Sequence, residues 1–483
     1  MADTPIARLL SGRKPIYTDV QVVTADNVCD VLNKALAVHD PNRGDIQYLY
    51  DYYRGKTPIR FKEKEVRPSV NHRLNENRAY QIVEFKNATC FGEPVQYISR
   101  GEVSGLLEQI DDLNDYMVAT EKEAADRDLG EWMHIAGVGY RMTLPNKGFQ
   151  PDDPDGGAPF AHYTLDPRLN FIVRSSGFDH RPLMSVTVVP QESGRPDLHC
   201  VYTPDAYYEI EGTSSVARTE PNPLGMIPVV EYPLNPARIG AFEIALPLLD
   251  AINELESNRM DDVQQFVNSF LALLGGGMDD DTYKKLEEYK MLCLPEGVDA
   301  KYLSVALQQG DMQTLKDNLY QSVLTVCGMP SQAAETSSTS DTGIAVMYRG
   351  GWSQAEARAK STEVEFKRSE KLFLRLILRI MRDTVGTDLK VQDIEIKFTR
   401  RFVDDIGTKV TALQGLLNAG ISPEVAIYTC GLWNDPTDVY MKSKKYLAQW
   451  ELNEDEDTAD VREGGRDEPL AGEAGEEDVR QAP

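Results

Sequence analysis

The sequence lacks long hydrophobic runs. No apolar stretch approaches the roughly 18 residues that a membrane-spanning helix needs. The first residues, MADTPIARLL, lack the charged-then-apolar pattern of a signal peptide. These absences predict a chain that is neither embedded in a membrane nor exported.

Cysteine and histidine are scarce and dispersed, with six of each among 483 residues. The cysteines form no C-x-x-C pair, which in a chain of this length favours reduced thiols over a disulfide framework or a zinc site. His199 and Cys200 are an adjacent pair of metal-capable side chains, but no second pair accompanies them, and one pair is too few for a metal site. We therefore expect no metal ion and no cofactor.

The common catalytic motifs are also missing. The sequence contains no G-x-x-x-x-G-K-[ST], G-x-S-x-G or H-E-x-x-H pattern. A hydrolase with carboxylate-bound metal ions remains an alternative, and its candidate ligands are Asp152, Asp153 and Asp155, or Asp279, Asp280 and Asp281. Both clusters lie in turn-like sequence, where aspartate is common for local reasons, and neither has a histidine nearby. We therefore expect no enzymatic activity.

Positive charge is in short supply. The formal net charge is −26, and residues 451–483 contain 13 Asp and Glu against 3 Arg. This segment has almost nothing to bury, so it is predicted to be a disordered acidic tail, either solubilising or used for docking. The rest of the chain is still acidic, which argues against tight binding of nucleic-acid phosphates.

Helical and strand-like periodicities alternate along the chain. Amphipathic helices are predicted within residues 1–60, after Asn75 and from about Asp112 to Ala136. Residues 137–235 contain strand-length runs separated by Pro, Gly and Asp, which predicts a lobe of short antiparallel strands. Two further helices, beginning near residues 243 and 309, flank about 30 residues predicted as one short helix and two strands. A small subdomain carried on two helices buries little of its surface within its own chain. Neighbouring copies in a ring would bury the rest.

The segment "ETSSTSDTGIAVMYRGGW", Glu335 to Trp352, separates the second of these helices from another one. That next helix is predicted from Ser353 to Thr384, with Ser353 and Glu356 at the spacing of a capping box. The segment itself is either an ordinary surface loop or a mobile loop with a function, since Gly350 and Gly351 allow backbone conformations that other residues avoid.

Four local patterns resemble the SPP1-type family of tailed-phage portal proteins. They are "YYRGKTPI" with "NHRLNENRAYQIVEFKNATCFGEPVQY", "FEIALPLLDAINELESNRMDDVQQFVNSFLALLGG", "DTGIAVMY" and "GISPEVAIYTCGLWNDP". They occur in the family's order over about residues 45 to 450. In the third pattern Thr342 stands where the family usually has Ser.

The resemblance implies an α+β, multi-lobed portal fold with an α/β wing, long stem helices, a small α/β clip, a helical crown and the disordered acidic tail. The implied segments are an N-terminal arm (1–60), the wing with its β-rich lobe (61–242), a stem helix (243–270), the clip (271–308), a second stem helix (309–327), the tunnel-loop hinge and long wing helix (328–401), the crown (402–450) and the tail (451–483).

The resemblance also implies a function and partners. Portal proteins form a ring of about twelve copies at one capsid vertex, through which double-stranded DNA passes without sequence specificity during packaging and ejection. The implied partners are the large terminase, a head-completion adaptor, and the major capsid and scaffolding proteins, in a virion assembled in the host cytoplasm. A soluble acidic scaffold or adaptor without DNA contact is the alternative.

By the same resemblance, three groups of residues are candidates for sites. The tip of the tunnel loop is assigned to Tyr348, Arg349, Gly350, Gly351 and Trp352, with 332–342 as the alternative. The acidic tunnel wall is assigned to Glu254, Asp261 and Asp262. The clip surface that meets terminase or adaptor is assigned to Asp281, Tyr283, Lys284, Lys285 and Glu288.

Overall fold

The computed structural model is a mixed α+β structure. It describes residues 11–65, 68–100, 106–151, 157–192, 194–267, 270–274, 299–303, 309–331, 351–399, 406–433 and 436–447, with the backbone alone for residues 265–267, 270–274, 299–303, 406 and 408. The chain divides into two compact units, Met1–Arg400 and Arg401–Pro483.

The described part of the first unit begins with a strand, which joins the sheet of the β-rich lobe, and a long helix, which packs against that sheet. Strand β1 (Ile16–Thr18) precedes helix α1 (Val28–Tyr53), which continues through Pro41. A proline inside a helix removes one backbone hydrogen bond, and burial of Ile46 and Leu49 beyond it keeps the helix in place.

The lobe contains a six-stranded sheet in the order β1-β5-β6-β7-β8-β9. Strands β5 to β9 pair antiparallel, as predicted, while β1 joins β5 in parallel. No strand was expected at β1, and the strand-length runs recognised within residues 137–235 did not include the segment of β9. The five central and C-terminal strands are β5 (Asn170–Ser175), β6 (Pro182–Val189), β7 (Leu198–Tyr202), β8 (Ala206–Glu211) and β9 (Ser215–Pro221).

Two smaller sheets and three helices form the centre of the unit. One sheet has the order β10-β3-β4, and the other pairs β13 with β2. The strands are β2 (Gln96–Ser99), β3 (Val138–Pro145), β4 (Phe160–Leu165), β10 (Val229–Pro233) and β13 (Ile394–Lys397), and the helices are α2 (Arg78–Phe91), α3 (Leu106–Ala119) and α4 (Lys122–Ala136).

The helix predicted from about Asp112 to Ala136 is two helices, α3 and α4. Glu121 between them has the left-handed φ of 53°, which no helix interior can accommodate. The hydroxyl of Thr120 donates to the carbonyl of Tyr116 at 2.9 Å and helps to end the first helix. The apolar periodicity continues across this break, so it did not reveal the change of direction.

Four elements follow the central sheets. Helix α5 (Leu246–Val267) leads to strand β11 (Phe270–Leu274), and strand β12 (Asp299–Leu303) leads to helix α6 (Gln309–Cys327). Strands β11 and β12 pair antiparallel from Phe270 opposite Leu303 to Leu274 opposite Asp299. Strand β12 and the second helix were expected from the sequence, whereas residues 270–274 had been included at the end of the first helical pattern.

The longest helix among the described residues, α7 (Trp352–Thr384), crosses the core. One face of it buries Phe366, Phe373, Leu374, Ile377 and Ile380 among β10, β3 and α2. The predicted cap at Ser353 was wrong, because the helix begins one residue earlier and its N-cap is Gly351, with φ of 79°. A left-handed conformation at this position favours glycine.

The second unit consists, in its described part, of three short helices. They are α8 (Ile406–Asn418), α9 (Pro423–Cys430) and α10 (Pro436–Leu447), and each contacts the next. Pro423 occupies the first turn of α9, where a missing N–H costs nothing. Among the described residues, no helix is both long enough and apolar enough to span a membrane.

Candidate functional site

The two helices on either side of the β11–β12 hairpin are anchored side by side in the first unit. Leu249 and Ile252 of α5 and Val323 and Leu324 of α6 are buried in one cluster with residues of α1 and α2. Further along the pair, Arg259 donates to Gln313 at 2.8 Å and Lys316 forms an ion pair with Glu256 at 3.1 Å. The helices are therefore held together by apolar contacts at one end and by polar contacts further out.

Residues 71–77, which have no regular secondary structure, lie along α5, and we call this segment the strap. Its amides at His72, Leu74 and Glu76 donate to the side chains of Asp261, Ser257 and Asn253 at 2.7, 2.9 and 2.8 Å. Alternate residues of an extended chain repeat about every 6.6 Å, and every fourth residue of a helix about every 6 Å. The two periods match closely enough for three successive bonds.

Asp261 is the most heavily bonded residue of this contact and is only 1% exposed. Its carboxylate accepts from Lys64, from the amide of His72 and from Nδ1 of the same histidine. Burial alone would raise the pKa of this carboxyl, but the hydrogen bonds from Lys64 and His72 outweigh it and hold the pKa below its usual range. Asp261 thus has its charge compensated within the chain.

The three predicted wall residues are placed differently from one another. Glu254 is exposed and Asp262 is half-buried, whereas Asp261 faces the strap. The spacing of the three residues is compatible with one face of the helix. It does not show which side of the helix the strap covers. The structure favours a structural role for Asp261 and leaves Glu254 and Asp262 as the candidates for an acidic wall.

Residues 332–350, which contain most of the predicted tunnel loop, lie outside the described residues. Their described neighbours meet: a Cβ added to Gly351 would lie 3.6 Å from Cα of Pro330. Trp352, the last residue of the predicted tip, is 36% exposed, and its ring centroid is 6.0 Å from that of Phe85. The described residues on either side of this segment, Pro330 and Gly351, are therefore close together. Tyr348, Arg349, Gly350 and the alternative tip 332–342 lie outside the described residues.

The five clip candidates also lie outside the described residues. They are Asp281, Tyr283, Lys284, Lys285 and Glu288. The described backbone on either side of them is the β11–β12 ladder, whose five residue pairs fix the two ends of the intervening segment next to each other.

The alternative metal sites receive no support from the described residues. Asp152, Asp153, Asp155 and Asp279 to Asp281 fall outside them. His199 and Cys200 are consecutive on β7, so their side chains point to opposite faces of the sheet. In the described part of the chain, no three His, Cys, Asp or Glu side chains are grouped so that they could hold a metal ion.

A buried ionic network, which the sequence analysis missed, ties α7 to the central sheet. The Lys122 ammonium lies 2.6 Å from Asp126 and 2.9 Å from Glu370, and Arg141 donates to Asp126 at 2.5 Å. The hydroxyls of Tyr97 and Tyr232 donate to the two oxygens of Glu370 at 2.5 and 2.6 Å. Burial would raise the pKa of Asp126, but Lys122 and Arg141 hold it below its usual range.

These missed residues left weak signals in the sequence. Lys122 and Asp126 have the (i, i+4) spacing of a helical ion pair. Asn253, Ser257 and Asp261 recur every four residues, as expected for one face of a helix. The first pattern does not identify Glu370 as a partner of Lys122. The second does not identify the strap as the segment that binds this face.

The family model described as "Phage portal protein, SPP1 Gp6-like" matches residues 32–459. The chain therefore belongs to this family, and the resemblance inferred from the four sequence patterns is confirmed. It is a phage portal protein, which places it in the virion.

Among curated proteins, no sequence matches the chain significantly. Solved structures of gene transfer agent particles are similar at low identity. For a chain of the native virion the identity is 13%, the TM-score 0.44, and the match covers 80% of this chain and 94% of that chain. For a chain of the native neck computed with C12 symmetry the values are 12%, 0.41, 73% and 89%. TM-scores below 0.5 do not establish a shared fold, so the assignment depends on the family match.

Proposed function

We propose that the protein assembles into a ring of about twelve copies at one capsid vertex and forms the channel for double-stranded DNA during packaging and ejection. Membership of the portal family carries this proposal. The anchored pair α5 and α6 fits the role of stem helices, with the β11–β12 hairpin between them as the base of the clip. Residues 61–242 and α7 would form the wing, and α8 to α10 the crown.

The wall of the channel would be acidic along α5. Glu254 and Asp262 would repel DNA phosphates, so the duplex would slide without the counterion release that accompanies tight binding. Asp261 would contribute indirectly, by holding the strap against the stem.

The segment between Ser331 and Gly351 would form the tunnel loop. Its described ends, Pro330 and Gly351, lie close together, as expected for the base of a loop. Gly351 and Trp352 lie at the anchored base of this segment, so of our first choice only Tyr348, Arg349 and Gly350 remain candidates for the tip, with 332–342 as the alternative.

The clip would be the docking surface for the large terminase and later for the head-completion adaptor. Asp281, Tyr283, Lys284, Lys285 and Glu288 are our candidates for this surface. The sequence contains no Walker-type ATP-binding motif, so we assign the energy source for DNA movement to the terminase and no catalytic role to this chain. The major capsid and scaffolding proteins would be the remaining partners.

The first test is the mass of the purified chain by native mass spectrometry, with end-on images of the particles. The proposal expects an assembly of about a dozen copies around a central hole. A closed dimer with no ring at any protein concentration would contradict it and favour the soluble scaffold.

A further inference from the structure

The long helix α7 has an exposed basic face. Five cations and one valine recur on it every three or four residues, so they lie on one side of the helix. They are Val364, Arg368, Lys371, Arg375, Arg379 and Arg382, and all six are exposed. The face is about 27 Å long at 1.5 Å per residue. Because the chain has a net charge of −26, such a concentration of cations does not follow from composition.

Among the residues that the structure describes, most of this positive charge has no counterion. Arg368 lies 3.9 Å from Glu365 and Arg379 lies 3.1 Å from Asp383, both on α7 itself. Within the described residues, Lys371, Arg375 and Arg382 form no ion pair. The basic face therefore fits an anionic partner.

The same side of the helix also exposes apolar side chains. Val364 is 65% exposed and Leu372, at the edge of the face, is 40% exposed. Protein interfaces combine apolar centres with charged rims, whereas a surface that binds phosphates alone gains nothing from an exposed valine and leucine. These residues favour an acidic protein surface as the partner over nucleic acid.

Helix α3 has the complementary surface, an acidic face made of Glu108, Asp112 and Asp115. Their spacing of four and then three residues is also that of Arg375, Arg379 and Arg382. All three carboxylates are exposed, and in the part of the chain that the structure describes none forms an ion pair. Val118, near this face, is 78% exposed. Partial burial and the negative charges of Glu108 and Asp115 raise the pKa of Asp112, as expected for carboxylates that lack a cation.

We propose that the basic face of α7 in one copy of this chain binds the acidic face of α3 in the next copy of the ring. This inference rests on the ring proposed above. A ring is built by a head-to-tail contact, which joins two different patches of identical subunits. Both helices belong to the unit Met1–Arg400, and no ion pair among its described residues joins the two faces, so their charges remain available to a second copy.

A charge-swap experiment tests this contact. Variant A carries Lys371→Glu and Arg375→Glu, and variant B carries Glu108→Lys and Asp112→Lys. Each variant alone opposes like charges in every contact, so the protein concentration for half-assembly should rise at least about tenfold. An equimolar mixture of A and B restores opposite charges at every contact and should form an alternating ring. Lys147→Glu and Glu192→Lys, at exposed sites outside both faces, are the matched controls and should assemble like the wild type.

Native mass spectrometry of A, B, their mixture and the controls separates the outcomes. Rescue in the A and B mixture alone supports the interface. If the wild type forms a ring and A and B do so equally well, the interface is overturned and the ring stands. If the wild type forms no ring under any tested condition, the ring is overturned and the interface with it. If assembly is unchanged but A alone loses affinity for a duplex DNA probe, the basic face is a phosphate-binding surface and the interface is overturned.

Discussion

At the scale of single residues, the buried carboxylates Asp261 and Glu370 are compensated by partners within the chain. Asp261 accepts a hydrogen bond from the strap. Glu370 forms an ion pair with Lys122 in the core and accepts hydrogen bonds from two tyrosine hydroxyls. Replacing such a buried carboxylate should lower the free energy of unfolding, because its partners remain buried without a counterion.

Replacing Asp261 with Asn tests the strap contact. The change removes the acceptor charge for Lys64 and His72 and should lower the free energy of unfolding by about 1.5 to 3 kcal/mol near neutral pH. The folded-state pKa of Asp261 lies below its usual range, so its contribution is present above the unfolded-state pKa of about 4 and is lost as pH falls through the folded-state pKa. The difference between wild type and variant in urea unfolding should therefore shrink in acid.

The matched control is Glu254→Gln on the exposed side of the same helix. It should change the free energy of unfolding by less than about 0.5 kcal/mol at any pH. Equal effects of the two substitutions would show that the strap contact contributes nothing.

Replacing Glu370 with Gln tests the buried network. The substitution leaves Lys122 and Arg141 with one carboxylate between them and should cost roughly 3 to 5 kcal/mol in chemical denaturation. Glu365→Gln on the same helix, whose ion pair with Arg368 is 3.9 Å long and exposed on the arginine side, should be nearly neutral. A Glu370→Gln variant as stable as the wild type would mean that the network does not hold α7.

At the scale of whole elements, close approach of helices determines what the core tolerates. Gly130 of α4 lies against α2, where an added Cβ would overlap Oδ1 of Asn87 and the ring of Phe91. The side-chain amide of Asn87 donates across the same contact to the carbonyl of Arg127 at 3.0 Å. This contact requires glycine even though glycine weakens a helix.

Gly130→Ala should therefore destabilise the α2–α4 contact, although alanine is favoured over glycine in a helix by about 1 kcal/mol. Hydrogen exchange should become faster in both helices. The control is Gly415→Ala within α8, where an added Cβ meets nothing within 4 Å, so exchange in that helix should become slower. Slower exchange at both sites would refute the packing argument.

At the scale of the whole molecule, the excess of negative charge agrees with the proposed DNA channel, because an acidic wall would repel the phosphates. The net charge is −26, and the candidate wall residues on α5 that the strap leaves open are Glu254 and Asp262. The basic face of α7 is the exception, and an interface between copies would neutralise it.

The double substitution Glu254→Lys and Asp262→Lys should slow DNA packaging, because cations in the wall would bind the phosphates of the moving duplex. The measurement is the length of DNA packaged with time into proheads that contain the variant. The neutral pair Glu254→Gln and Asp262→Asn separates loss of repulsion from gain of binding and should have a smaller effect. Packaging at the wild-type rate with both lysines present would rule out these residues as the wall.

Much of the fold could be predicted from the sequence because apolar periodicity is a local property. Helix α6, strand β12, the long helix α7 and the antiparallel lobe all follow from the spacing of residues close in the chain. The order of four short patterns was specific enough to indicate the portal family. The break at Glu121 and the cap at Gly351 were missed because each depends on the backbone conformation of one residue.

The amino-acid sequence by itself determined the periodic elements, the excess of negative charge and the family. Only the tertiary structure decided which side of α5 the strap covers, which carboxylates the network of Lys122 and Arg141 neutralises, and that the backbone meets itself at Pro330 and Gly351. The physical reason is that these contacts join residues far apart in the chain. Their pairing depends on how the elements pack, and the spacing of residues within one element carries no information about it.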